Sequence, residues 1–344
     1  MTMLFLPTLA ISLLLAVSLA QPAHAWTRSP ATTFATLPAG AAHPEGITAD
    51  AEGNIYVTTF SIDGTPTGNG QLFVFSHNGQ LVRQVNVAGS SPLLLDLAFH
   101  PTTGALLVID FGAHQVLAVD PVTGASTAFA TIPGGTSAGP NVLTFDGAGN
   151  VYISDSFQGI IWRTGPSGGV PIAWVTSALL TTTGVPPFGA NGLAFNNGRT
   201  ALFVANTGND TVVKIPVSGG VPGTPAVFVN SVNGADGLII DEQDNVWVAA
   251  NQADEIVVID PTGRVIAKLG DFDGITPNGA PKGLLFPASL VRSGNFVYVT
   301  NLSLDLRQFG LPQPVDAQWA AQVTTHTISK INAQLPPIQG LPKP

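Results

Sequence analysis

The sequence predicts an all-β protein, a six-bladed β-propeller with four antiparallel strands per blade. Three observations predict this fold: six internal repeats, a strand–turn–strand pattern within each repeat, and a composition with 38 Gly and 28 Pro among 344 residues, 45% of them hydrophobic. Many short strands joined by tight turns require such turn-rich composition. The repeats start 45 to 53 residues apart, and repeats of this length with two hairpins each are typical of propeller blades.

Each repeat begins with an apolar strand, a hairpin containing Gly or Asn, and a second apolar strand. The six copies are EGITADAEGNIYVTT from Glu45, DLAFHPTTGALLVID from Asp96, NVLTFDGAGNVYISD from Asn141, NGLAFNNGRTALFVAN from Asn191, DGLIIDEQDNVWVAAN from Asp236 and SLVRSGNFVYVTN from Ser289. A further strand pair follows, as in QLFVFSHNGQLVRQV at 71–85. One four-stranded sheet cannot bury both faces alone, so the six units are expected to pack radially around a central channel.

The two ends of the chain are expected to meet in the last blade. That blade has NFVYVTN, an irregular insertion at 302–322, and VTTHTISKIN at 323–332, and it lacks one strand. ATTFATL at 31–37 supplies it, because a closed ring leaves no unpaired edge. The propeller domain is therefore expected over residues 26–334, followed by a Pro-rich tail at 335–344.

The N-terminus has the pattern of an export signal. Residues 3–20 are apolar and uncharged, and Ala23-His24-Ala25 is a cleavage signature before Trp26. We therefore expect a signal peptide at 1–25 and a periplasmic or secreted mature protein, the alternative being a membrane anchor. The absence of Cys excludes a lipoprotein anchor, disulfides and thiolate metal sites.

The net charge of −9 indicates which partners to expect. It argues against nucleic acid and against an anionic membrane surface, and the few basic residues are scattered. Cations and an uncharged small molecule are the more compatible partners, and a monomer is expected.

The first residue of each repeat is expected at the channel, where the first strands of the blades meet. These residues all carry side-chain oxygen: Glu45, Asp96, Asn141, Asn191, Asp236 and Ser289. Taken singly, Asp, Asn and Ser before Gly are ordinary turn residues. Three carboxylates converging without a basic neighbour would lose solvation and repel one another unless they held a cation. An all-oxygen set without His or Cys favours Ca²⁺ over Mg²⁺ or zinc.

With these motifs the sequence resembles the six-bladed, calcium-dependent gluconolactonase and regucalcin family, with paraoxonase and squid diisopropyl fluorophosphatase as more distant relatives. The resemblance extends over nearly all of the mature chain. It implies that Glu45 in HPEG, Asn191 in ANGLAF and Asp236 in ADGLIID hold calcium, with Asn141 in GPNVLTFD as a further ligand or substrate-orienting amide. Asp96 matches no ligand of the family, and Ser289 stands where the squid enzyme has a His.

The resemblance implies a hydrolase of lactones or related esters in which Ca²⁺ polarises the carbonyl, and the N-terminal pattern adds the expectation that it is exported. Asp236 would be the general base or nucleophile, and Asp96 and Ser289 would contact substrate or support the ligands. The loops before the first strands are mostly apolar, which favours an uncharged, rather hydrophobic substrate. Two alternatives remain: a non-catalytic scaffold built from NHL-type repeats with a structural calcium, and an enzyme resembling strictosidine synthase.

Overall fold

The computed structural model describes residues 28–62, 67–311 and 316–335, and it confirms the six-bladed propeller. The predicted signal peptide lies outside the described residues, as does the predicted tail apart from Leu335. No helix in the described part of the chain has the length and apolar character to cross a membrane.

The first half of the chain contains an N-terminal strand, β1 (Thr32–Thr36), and three complete blades. Blade 1 consists of β2 (His43–Ala49), β3 (Ile55–Phe60), β4 (Gln71–Phe75) and β5 (Leu81–Asn86). Blade 2 consists of β6 (Leu94–Phe99), β7 (Leu106–Asp110), β8 (Gln115–Val119) and β9 (Ser126–Thr131). Blade 3 consists of β10 (Pro140–Phe145), β11 (Val151–Asp155), β12 (Ile160–Gly165) and β13 (Gly168–Thr176).

The second half contains blades 4 to 6 and a small extra hairpin. Blade 4 consists of β14 (Ala190–Phe195), β15 (Ala201–Asn206), β16 (Thr211–Ser218), β17 (Val221–Pro222) and β18 (Ala226–Asn230), and its last two strands both pair with β16. Blade 5 consists of β19 (Ala235–Ile240), β20 (Val246–Ala250), β21 (Glu255–Ile259) and β22 (Val265–Leu269). The hairpin β23 (Phe272–Ile275) and β24 (Pro281–Gly283) precedes blade 6, which contains β25 (Pro287–Ser293), β26 (Phe296–Asn301) and β27 (Thr327–Asn332).

The remaining elements are short helices in the connections. The one α-helix is α1 (Ala317–Ala320) within the described ranges, and the 3₁₀ turns there are Gly135–Ser137, Ala178–Leu180, Asn251–Ala253 and Leu306–Phe309. The last of these and α1 both belong to the insertion between β26 and β27.

Both ends of the chain close the ring in blade 6, as predicted. β1 pairs antiparallel with β27, with Thr32 opposite Lys330 and Thr36 opposite Thr327. The strand order is β1-β27-β26-β25, so the N-terminal strand is the outer strand of the last blade. This pairing covers the edge that an open ring would leave exposed.

The core is divided among the junctions between blades. Buried apolar side chains of the described residues form six clusters, one at each junction: blades 1/2, 2/3, 3/4, 4/5, 5/6 and 6/1. A blade presents apolar side chains on both faces, which explains why its two middle strands are largely apolar, as in LLVID of β7 and QVLAV of β8. Radial stacking is therefore what stabilises each sheet.

Every first strand contains a β-bulge at the same point, where it reaches the channel. The pairing of β2 with β3 shifts between Pro44 and Ile47, so that two residues, Glu45 and Gly46, face one residue of the partner strand. The same shift occurs in β6, β10, β14, β19 and β25. A bulge re-aims side chains locally, and bulges are common next to active sites.

Candidate functional site

Four of the predicted residues line one cavity in the channel. They are Glu45, Asn141, Asn191 and Asp236, and the cavity has a volume of about 420 Å³ including its open mouth. Each is the first of the two bulge residues in its strand. All four are at most 5% exposed. The bulges therefore turn four side chains from four different blades into a common space.

The second bulge residue packs against the next blade instead of the cavity. A Cβ on Gly46 would lie 2.4 Å from the carbonyl oxygen of Leu95, and one on Gly192 would lie 2.3 Å from that of Asp236. Such contacts are impossible without movement of the backbone. In blades 1 and 4, glycine after the cavity residue is therefore a packing requirement at the junction with the next blade, whereas blade 3 has Val142 at this position.

The expected ring of six equivalent oxygen-bearing residues is wrong in blades 2 and 6. The bulge pairs there are Leu95 with Asp96 and Ala288 with Ser289, so Asp96 and Ser289 occupy the second position. Leu95, and not Asp96, lines the cavity. The Asp96 carboxylate instead accepts a hydrogen bond of 3.0 Å from the backbone N–H of Leu143 in blade 3. Asp96 thus joins two blades.

Each of the four cavity residues has one buried side-chain oxygen without a hydrogen-bond partner. These are Glu45 Oε2, Asn141 Oδ1, Asn191 Oδ1 and Asp236 Oδ1. Buried polar atoms normally have partners, and leaving one unpaired costs about 1–3 kcal/mol. Four such oxygens on one cavity indicate a ligand that accepts electron pairs.

The other side-chain atoms of three of these residues are fixed by neighbours. Asn141 Nδ2 donates to Ser156 Oγ at 3.1 Å, and Asn191 Nδ2 donates to Thr207 Oγ1 at 3.0 Å. Asn251 Nδ2 donates to Asp236 Oδ2 at 3.0 Å. Because the amide nitrogens are held by hydroxyls, the amide oxygens are left for the cavity. The orientation of the unpaired oxygens is thus built into the fold.

Sequence reasoning did not find these three supporting residues, although they carry a signal. Ser156, Thr207 and Asn251 each follow the second strand of their blade directly. They lie 15, 16 and 15 residues after the cavity residue that they contact. A polar residue at this spacing in three successive repeats indicates a layer of side chains that supports the cavity residues from behind.

The cavity buries carboxylates without enough positive charge nearby to compensate their negative charge. Burial raises the pKa of Asp236 to about 7, although the hydrogen bond from Asn251 opposes the shift. The pKa of Glu45 is raised well above its ordinary value by burial, then by the negative charge of Asp236 and of Asp96. Burial likewise raises the pKa of Asp96 to about 7. Glu45 and Asp236, whose charged forms are disfavoured, therefore lie in the same cavity wall.

The donor set fits a hard divalent cation. Ca²⁺ binds six to eight oxygens from carboxylates, amides and water, so four protein oxygens leave coordination positions open. Within the described residues no three His, Cys, Asp or Glu side chains gather as a metal cluster. The candidate set is instead two carboxylates and two amides, which lack the nitrogen and sulfur donors that zinc prefers.

The rest of the cavity wall is apolar. Phe60, Leu95, Pro186 and Phe188 contribute to it. The insertion between β26 and β27, which the sequence marked as irregular, adds Leu302, Leu304 and Leu306. Apolar walls exclude water and lower the local dielectric, which strengthens any interaction of the four oxygens with a cation.

Phe286, also in this wall, has an unusual backbone conformation. Its φ of 47° is in the left-handed region, which bulky residues rarely adopt. Its N–H donates to Asp254 Oδ1 at 2.7 Å. The Asp254 carboxyl therefore holds the strained residue in the cavity wall.

Comparison with known proteins identifies the family. The family model described as the SMP-30/Gluconolactonase/LRE-like region matches residues 98–270, half of the chain. The chain belongs to this family. No curated protein matches it in sequence.

Solved structures share the fold of this family member at low identity. A luciferin-regenerating enzyme has a TM-score of 0.63 and 17% identity, with 88% of this chain and 95% of that chain covered. A gluconolactonase from Xanthomonas campestris has a TM-score of 0.59 and 15% identity, with 82% and 96% covered. Regucalcin from Agrobacterium tumefaciens, a calcium-binding protein, has a TM-score of 0.57 and 17% identity, with 90% and 99% covered. These likenesses support the propeller fold.

Proposed function

We propose that this chain is a calcium-dependent hydrolase of lactones or related esters. The observation that carries the proposal is the set of four unpaired, buried oxygens on Glu45, Asn141, Asn191 and Asp236, all on one cavity. Membership of the SMP-30/Gluconolactonase/LRE-like family supports the same reading. The names of the gluconolactonase and calcium-binding relatives agree with it.

The four residues would hold the ion by the oxygens that have no other partner. When bound, Ca²⁺ would act as a Lewis acid toward a carbonyl oxygen and stabilise its developing negative charge. Ser156 and Thr207 keep the two amides turned with their oxygens toward the cavity. Asn251 holds one oxygen of Asp236, which fixes the plane of that carboxylate.

Asp236 is proposed as the general base. The oxygen of water forms a bond to the acyl carbon while Asp236 takes the proton of that water. The bond between the acyl carbon and the ring oxygen breaks, and the proton passes to the leaving oxygen. A lactone and water thus give one hydroxy acid. Burial raises the pKa of Asp236 to about 7 in the metal-free cavity, and a bound cation would lower it, so that the carboxylate would be ionised and able to accept a proton at neutral pH.

The test combines chelation with one substitution at each of two aspartates of blade 5. Asp236→Asn should lower kcat/KM on a lactone panel by about 10²–10⁴-fold, because the amide cannot accept the proton. The matched control is Asp244→Asn, since Asp244 lies in the hairpin of the same blade with a φ of 61°, where Asn is well tolerated. Chelator should abolish turnover, and added Ca²⁺ should restore it.

A non-catalytic scaffold with a structural calcium predicts a different result. Ca²⁺ would then raise the melting temperature without turnover of any lactone or ester. Turnover that persists in chelator and in Asp236→Asn would instead reject the proposed chemistry.

We further propose that the protein is exported and acts as a monomer on an uncharged small molecule. The apolar stretch at 3–20 and the cleavage signature at 23–25 support export. The charge of −9 supports a substrate that is not an anion. Sequencing the N-terminus of the mature protein tests the first point, and Trp26 as its first residue is the expected result.

A further inference from the structure

A second cavity, here called the vestibule, lies beside the candidate site, and every described residue that lines it has an apolar side chain. It has a volume of about 710 Å³ including its open mouth. Five of its eleven lining residues are aromatic: Phe60, Phe111, Phe157, Phe188 and Phe309. No polar group of the described residues is placed there to bind a hydroxyl or a charge.

The vestibule adjoins the cavity that holds the four oxygens. Phe60, Pro186, Phe188 and Leu306 line both spaces. A molecule whose carbonyl reaches the oxygens therefore has the vestibule as the next space for its substituent. The two cavities together form one site with a polar end and an apolar end.

The vestibule is preformed by ring packing. Ring centroids are 6.0 Å apart for Phe60 and Phe111, 5.8 Å for Phe111 and Phe157, and 5.6 Å for Phe157 and Phe188. Phe157 also packs flat on Gly139, where an added Cβ would lie 2.7 Å from the ring. The aromatic cluster thus runs without a gap from the channel to the surface.

The insertion of blade 6 forms the other wall of the vestibule. It contributes Phe309, which is 50% exposed, next to the 3₁₀ turn residue Leu306, which is buried. The turn is braced at its start, because Arg307 Nε and Nη2 donate to both oxygens of Asp305 at 2.9 and 2.7 Å. The exposed aromatic ring is therefore held at the rim by a fixed turn.

We infer that the substrate carries an alkyl or aryl substituent that lies in the vestibule while its lactone or ester group lies at the four oxygens. This inference rests on the proposed function and narrows its substrate class. An apolar substituent gains by leaving water, whereas the hydroxyls of a sugar lactone would lose their hydrogen bonds to water without replacement. Substituent length then decides specificity.

The experiment uses the calcium-loaded protein and a series of γ-lactones with alkyl chains of increasing length, with gluconolactone as the hydroxylated comparison. The expected result is a rise in kcat/KM of about two- to fourfold per methylene until the vestibule is filled. Phe309→Ser should flatten this dependence. Phe296→Ser is the matched control, because Phe296 is 36% exposed, lies on the hairpin of blade 6 and lines neither cavity.

Binding of the neutral fluorophore N-phenylnaphthylamine separates failure of this inference from failure of the proposed function. Saturable binding that alkyl lactones displace, and that Phe309→Ser but not Phe296→Ser weakens, supports the vestibule even when no lactone is hydrolysed. Hydrolysis with rates independent of chain length, or fastest on gluconolactone, overturns the inference and leaves the hydrolase intact. Absence of both binding and hydrolysis overturns both.

Discussion

Replacing Glu45 by Gln should have opposite effects on stability with and without calcium. Gln keeps a side-chain oxygen in the cavity and removes the charge. Without a cation, the wild-type protein buries the Glu45 carboxyl beside Asp236 with Oε2 unpaired. Removing that acid relieves a cost, so the variant should be the more stable protein in chelator.

The sizes of the two stability effects determine how clearly the reversal between chelator and calcium can be measured. Each unit by which burial raises the pKa of the Glu45 carboxyl costs the folded protein about 1.4 kcal/mol at neutral pH, so the variant, which has no carboxyl to neutralise, should gain at least roughly that much in free energy of unfolding. If the wild-type protein binds one calcium ion as proposed, calcium at 100 times its dissociation constant would stabilise it by about 2.7 kcal/mol. The variant has lost a charged ligand and should gain much less. For a domain of about 300 residues, about 1 kcal/mol corresponds to roughly 1.5 °C in Tm.

The assay is thermal unfolding of the wild-type protein, Glu45→Gln and a matched control in chelator and in a calcium titration. Glu52→Gln is the control, because Glu52 is exposed in the hairpin of the same blade. It should follow the wild-type protein in both conditions. A lower Tm for Glu45→Gln in chelator, or equal calcium stabilisation of all three proteins, would refute the anionic cavity.

Two further predictions concern acids outside the ligand set. Burial, aided by the negative charge of Asp316, raises the pKa of Asp254 to about 8, so the folded protein retains a proton that the unfolded chain loses near pH 4. Asp254 therefore lowers the free energy of unfolding by about 1.4 kcal/mol per unit as pH rises between about 4 and 8, and Asp254→Asn should remove that slope in urea unfolding series. Asp96→Asn should change lactone turnover far less than Asp236→Asn does, because residue 96 faces blade 3; an equal loss in steady-state kinetics would contradict that placement.

The fold was predictable because several independent features of the repeats indicate it. Repeat spacing, hairpin turns and continuous apolar strands all agree, and the closure by β1 followed from the missing strand alone. Agreement among local signals is what makes a sequence specify one architecture. The number of blades and the closure of the ring could therefore be predicted from the sequence alone.

The site was predictable only in part, because a one-residue shift moves a side chain to another face. Because their side chains carry oxygen, Asp96 and Ser289 are predicted from the sequence to lie in register with Glu45, although both stand one position later in the bulge. The apolar residue that ends each bulge gives the correct register. It is Ile or Leu in every blade: Ile47, Leu97, Leu143, Leu193, Leu238 and Leu290.

The walls of the site could not be read from the repeat at all. Phe188 and Leu306 lie in connections of irregular length, where periodicity gives no register. Their meeting depends on how the connection between blades 3 and 4 and the insertion of blade 6 fold over the channel. Only tertiary packing determines that geometry, and it is the part that distinguishes one substrate from another.

The repeated bulge divides two tasks between adjacent residues. The first residue presents its side chain to the channel, as Glu45 and Asp236 do, and the second meets the next blade, as Gly46 and Gly237 do. Assembly of the ring constrains the second position through direct contact with backbone atoms of the neighbouring blade. The first position is free of that constraint, so four blades can carry unpaired oxygens there while a fifth carries Leu95. The residues that face the cavity can therefore change from blade to blade without altering the packing that closes the propeller.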